Sequence, residues 1–81
     1  MEQSQVRRRL GSTPQERGSR NEASCPDIFE LADGRFAVIG TDMTGDLRGQ
    51  LPPDAGVASY ERIVVISRET LLHAKRDIPD F

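Results

Sequence analysis

The sequence predicts a small α+β domain: a three-stranded antiparallel sheet with a C-terminal helix and a short intervening helix, in the order β-β-α-β-α, behind a disordered N-terminal tail. Three observations carry that expectation. Residues 1–24 hold only Met1, Val6 and Leu10 as sizeable apolar side chains, too little apolar surface to offset the entropy of ordering. Beyond them, the runs Ile28-Phe29-Glu30-Leu31 and Phe36-Ala37-Val38-Ile39 flank Asp33-Gly34, the signature of a hairpin. Ile63-Val64-Val65-Ile66 then runs straight into Ser67, the pattern of a buried strand followed by a capped helix.

Taken in order, the elements divide the chain into a tail at 1–24 and a domain at 25–81. Pro26 suits a strand entry, where its missing N–H costs nothing. Asp33-Gly34 suits a type I′ turn, in which both central residues take positive φ. After Gly40, Met43, Leu47 and Leu51 recur every four residues and predict a short helix, with Thr41, Asp42 or Thr44 at its start. Gly45 and Gly49 weaken that helix by up to about 1 kcal/mol each, and Pro52-Pro53 ends it. Residues 53–59 read as a loop. Four consecutive β-branched residues at 63–66 predict the central strand, covered on both faces. Ser67 and Glu69 then start a helix from Arg68 to Lys75, with Leu71 and Leu72 toward the sheet and Pro79 blocking continuation.

Charge separates the same two regions. The chain has net charge -2, yet residues 1–24 carry five Arg against three Glu, while residues 25–81 carry six basic and ten acidic side chains. An acidic domain repels phosphate backbones, so any nucleic-acid contact falls to the tail, at Arg7, Arg8 and Arg9. Arg17 and Arg20 add to that charge, but no aromatic residues interleave with it. Cys25 is the only cysteine, which excludes an internal disulfide and a multi-thiolate metal site. No apolar stretch follows the arginines as an export signal requires, and none is long enough to span a membrane. The expected location is cytoplasmic.

Candidate chemistry is sparse. His73 is the only histidine and has neither a second imidazole nor an evident orienting acid at helical spacing, because Glu69 serves the helix start. Cys25 has Asp27 nearby and no adjacent cation, which disfavours a reactive thiolate. Asp42, Asp46, Asp54 and Glu61 offer oxygens for a hard cation, but Met43 and Gly45 break the register of a calcium loop, and capping is the commoner role of such acids. Gly45-Asp46-Leu47-Arg48-Gly49 lacks the Lys-Ser/Thr ending of a phosphate loop. No catalytic residue, metal or cofactor is expected, and the chain reads as a non-enzymatic module.

The residues Cys25-Pro26-Asp27-Ile28-Phe29-Glu30-Leu31, Asp33-Gly34-Arg35-Phe36-Ala37-Val38 and Ile63-Val64-Val65-Ile66-Ser67-Arg68-Glu69 together resemble small actinobacterial proteins of unknown biochemical activity that are encoded beside helix-turn-helix regulators. The likeness spans about residues 25–76. It departs after the Ser cap, where Thr70-Leu71-Leu72 stands in place of aromatic residues, and it has no counterpart for 43–56. The resemblance implies an accessory partner of a transcriptional regulator, with no catalytic residues to carry over. Pro53, Asp54, Val57 and Tyr60, in the loop between the short helix and the last strand, are the expected partner contacts. One short helix cannot cover both faces of the sheet, so a homodimer or another protein partner is expected on the open face. The alternative is nucleic-acid binding through the arginine-rich tail.

Overall fold

A computed structural model of the chain describes residues 5–13, 16 and 26–80. Its main sheet is built on the expected hairpin. Asp27–Leu31 and Phe36–Ile39, here β2 and β3, pair antiparallel with Ile28 opposite Val38 and Phe29 opposite Ala37. The turn differs from type I′, because among the described residues only Gly11 and Gly34 have positive φ. Gly34, at φ 93, donates its N–H to the Leu31 carbonyl at 3.1 Å, while the Leu31 N–H reaches the Arg35 carbonyl at 2.8 Å. This is a three-residue connection in which Gly34 alone takes the left-handed conformation. Asp33 stays at negative φ and uses its carboxylate instead, accepting from the Arg35 N–H at 3.0 Å and the Arg35 guanidinium at 2.8 Å.

The third strand comes from the region expected to be a tail. Val6–Arg9, β1, pairs antiparallel with β2, with a register irregularity between Val6 and Arg8, so the sheet order is β1-β2-β3. The tail expectation is therefore corrected for residues 5–13; residues 17–24 lie outside the described residues, as does Cys25. Two things order β1 despite its poverty in apolar residues. Its arginines meet acidic side chains of β2, with Arg8 at 2.8 Å from Glu30 and Arg9 at 3.0 Å from Asp27. Leu10, at its end, is only 2% exposed and packs with Ile28 and Ala74 in the core.

The β-branched run at 63–66 is corrected in the opposite sense. Only Val64–Val65, β5, is strand, and it pairs with Thr41–Asp42, β4, as a separate two-stranded sheet. Val64 and Val65 are 39% and 38% exposed, so this strand is peripheral rather than covered on both faces. Between β4 and β5 the expected short helix forms as Thr44–Leu47, α1, followed by a 3₁₀ turn at Arg48–Gln50. Asp42 sets its start, accepting from the Thr44 N–H at 3.1 Å and hydroxyl at 2.7 Å.

The C-terminal helix, α2, spans Arg68–Ala74, with a 3₁₀ turn at Lys75–Asp77. Ser67 caps it as expected, its hydroxyl accepting from the Thr70 N–H at 3.2 Å. Its inward face is Thr70 and Ala74, one helical turn apart and both buried, whereas Leu71 and Leu72 are 53% and 55% exposed. The expectation that Leu71 and Leu72 face the sheet is thus corrected for Leu72, while Leu71 stands half exposed at the edge of the apolar space that Phe36 and Val38 also line. Ser67 explains the choice of Thr70, since it also bonds the Thr70 hydroxyl at 2.8 Å and satisfies it inside. No helix is long and apolar enough to cross a membrane among the described residues.

Candidate functional site

Two concavities lie against α2, and they have opposite chemistry. The first, about 330 Å³, is lined by Gly11, Ser12, His73, Arg76 and Asp77, where the end of β1 meets the end of the helix. Gly11 makes this meeting possible. It has φ 84, and a Cβ there would stand 2.7 Å from the His73 carbonyl carbon and 2.8 Å from the Ala74 nitrogen. Its N–H donates to the Asp77 carboxylate at 2.7 Å, and the Arg8 guanidinium donates to the Asp77 carbonyl at 2.8 Å. The Ser12 hydroxyl is hydrogen-bonded to His73 Nδ1.

The sequence shows His73 without a partner; the fold supplies Ser12 from 61 residues away. A hydroxyl on an imidazole is the first half of a nucleophile–base arrangement, and the second half is a group that orients the ring. Among the described residues no carboxylate bonds His73, and Asp77 is engaged by Gly11. What this cluster visibly does is fasten β1 to α2. Thr13 and Glu16 follow it with a reciprocal pair of bonds, Thr13 N–H to the Glu16 carboxylate at 2.7 Å and Glu16 N–H to the Thr13 hydroxyl at 3.2 Å.

The second concavity, about 220 Å³, is lined by Leu10, Ile28, Phe36, Val38, Ile66, Leu71, Ala74 and Ile78, with no polar surface exposed in it. It opens between the α2 face of the sheet and the helix. Leu10, Ile28 and Ala74 form its floor, and Phe36, Val38, Leu71 and Ile78 its rim, each between 43% and 53% exposed. The floor is all of the buried apolar core among the described residues. The buried core is thus continuous with a small apolar groove that opens to solvent.

The residues singled out from sequence fall elsewhere. Pro53 and Asp54 are exposed, Val57 is half-buried and Tyr60 is 86% exposed. None of the four lines the groove. Their loop is pinned by its own bonds: Arg48 donates to the Val57 carbonyl at 3.3 Å, and Ala58 donates to the Glu61 carboxylate at 2.9 Å. Arg8 and Arg9 are committed to Glu30 and Asp27, and Arg9 also stands 5.3 Å over the Phe29 ring. Arg7 is exposed and forms no ion pair among the described residues. No group of three or more potential metal ligands occurs among the described residues.

Two carboxylates titrate below their ordinary value of 3.8. Asp33 is lowered by hydrogen bonds from the Arg35 side chain and then its N–H, and Asp42 by bonds from the Thr44 hydroxyl and then its N–H. Both belong to turns, and neither borders the groove. Family models, curated proteins and solved structures yield no match to this chain.

Proposed function

We propose that this chain is a non-enzymatic interaction module, an accessory partner of a transcriptional regulator, that docks through the apolar groove between its main sheet and α2. The observation that carries this reading is the groove itself: eight residues line it, none presents a polar surface, and its rim side chains stand about half exposed. The regulator as partner follows from the resemblance to proteins encoded beside helix-turn-helix regulators. The engagement of Arg8 and Arg9 by acidic neighbours favours this reading over nucleic-acid binding, which would rest on Arg7.

In this reading the contact lies at Phe36, Val38, Leu71 and Ile78 on the groove rim, and not in the loop at 53–60. A photoreactive residue replacing Leu71, on the rim and 53% exposed, tests this in the source cell. Covalent capture of a DNA-binding regulator at position 71, and not from a probe at Tyr60, is the expected result. Capture at Tyr60 alone, or of nothing at Leu71, would overturn the assignment.

A further inference from the structure

The main sheet has two outer edges, and only one is guarded. β1 presents Val6-Arg7-Arg8-Arg9 with a register irregularity, two devices that discourage another strand from adding to it. β3 presents Phe36-Ala37-Val38-Ile39, without charge, proline or irregularity in its pairing with β2. The ladder shows which of its backbone groups are unused. The Leu31 N–H bonds the Arg35 carbonyl, so that pair, and by alternation the pairs at Ala37 and Ile39, exchange bonds with β2. The N–H and C=O groups of Phe36 and Val38 therefore point outward, along the edge of the apolar groove that their side chains line.

We propose that β3 pairs antiparallel with β3 of a second copy of this chain, about a twofold axis passing beside Ala37. In that register Phe36 exchanges both hydrogen bonds with Val38 of the second copy and Val38 with its Phe36, so all four outward groups of each strand are used. Ala37 falls opposite itself at a non-hydrogen-bonded position, where Cα atoms approach to about 4.5 Å. A small side chain suits that crowded site. Phe36 and Val38 become cross-strand neighbours on one face, an aromatic and β-branched pair that joins the two grooves into one apolar surface.

A second copy fits this edge for reasons of symmetry and charge. A twofold contact must be self-complementary, and Phe-Ala-Val centred on Ala37 satisfies that with every bond made. The chain carries net charge -2, yet no charge lies on β3, and the adjoining Arg35 is neutralised by Asp33 at 2.7 Å. Two copies therefore meet here without like-charge opposition. Ile78 and Leu71 remain on the far rim of each groove, so the pairing leaves room for a regulator beside it.

This pairing rests on the reading of the groove face as a contact surface, but its test needs no regulator. Sedimentation of the full chain at micromolar concentration is expected to give twice the 9.0 kDa chain mass, and Val38→Lys to give the single mass with an unchanged circular dichroism spectrum. In a Cys25→Ser background, Ala37→Cys is expected to form an intermolecular disulfide on mild oxidation, because the Cα separation lies within disulfide range, while Ile39→Cys is not. If Val38→Lys fails to fold, the contrast between the two cysteine variants decides alone. A monomeric parent chain overturns the pairing without touching the Leu71 capture result. A dimer that survives Val38→Lys, or one cross-linked equally by both cysteines, overturns it in favour of another surface.

Discussion

β1 and β3 flank the same central strand and hold to it by different means. β1 is polar and holds to that strand by specific bonds, Arg8 to Glu30 and Arg9 to Asp27, while the residues just after it, Gly11 and Ser12, bond Asp77 and His73 at the end of α2. β3 is apolar, joined through a three-residue turn, and gives Phe36 and Val38 to the groove. The first edge is finished and the second is open. The proposed pairing of two copies draws on that difference, because an uncharged and regular edge lacks the devices that discourage another strand from adding to it.

Removing residues 1–13 tests the contrast most severely. The deletion takes a whole strand, the Arg9 partner of buried Asp27, and Leu10, whose burial alone is worth about 2 kcal/mol. A domain of this size has total stability of only about 5 kcal/mol, so the truncated chain is expected to lose its cooperative thermal transition. An unchanged midpoint would return these residues to the status of a tail.

Gly11→Val asks whether the end of β1 is seated on α2. The positive φ costs a β-branched residue about 1–3 kcal/mol, and contact below 3 Å with the helix backbone adds to it. Denaturant titration should show a large loss of stability, against a near-neutral Gly56→Ala, where an added Cβ meets nothing within 4 Å.

Next in size is Arg9→Ala, which strands the Asp27 carboxylate. Asp27 is 4% exposed, but Arg9 retains 37% of its side-chain surface, so solvent screening reduces the expected loss to about 1–2 kcal/mol. Asp27→Asn in the same chain should restore part of it. Ile39→Ser on β3, at 55% exposure, should cost only a few tenths of a kcal/mol, about 0.5 at most.

The smallest expected effect is one of pH. Asp33 and Asp42 titrate below 3.8 in the folded chain, so each favours folding above the unfolded-state value, and that contribution fades as pH falls through the folded-state value. Asp42→Asn should flatten the acid limb of a stability–pH curve below about pH 4, leaving the neutral region parallel to the parent. A difference confined to pH above 6 would contradict the assignment.

Legibility from sequence followed the range of the interactions involved. The Asp33-Gly34 turn of the hairpin, the short helix behind Asp42 and the Ser67 cap rest on bonds between residues two to four positions apart, and these were readable. The β1 pairing was hidden because Arg8 and Arg9 find their acids 22 and 18 residues away, and composition alone cannot distinguish a charged tail from a charged strand. Leu10-Gly11, an apolar residue followed by glycine, was the available hint. The β-branched run misled for a related reason: it reports strand propensity and not position, and in the fold Ile66 packs against the Leu10, Ile28 and Ala74 core while Val64 and Val65 stay exposed. The groove was legible only as a surplus of apolar residues that one helix could not cover, and its position required the fold.

Amide hydrogen exchange at two protein concentrations tests the contrast of the two edges most directly. The outward amides of Phe36 and Val38 are expected to become protected as concentration rises from submicromolar to tens of micromolar, while the outer edge of β1 exchanges at a rate independent of concentration. Protection that rises at β1, or Phe36 and Val38 amides that exchange freely at both concentrations, would contradict the account.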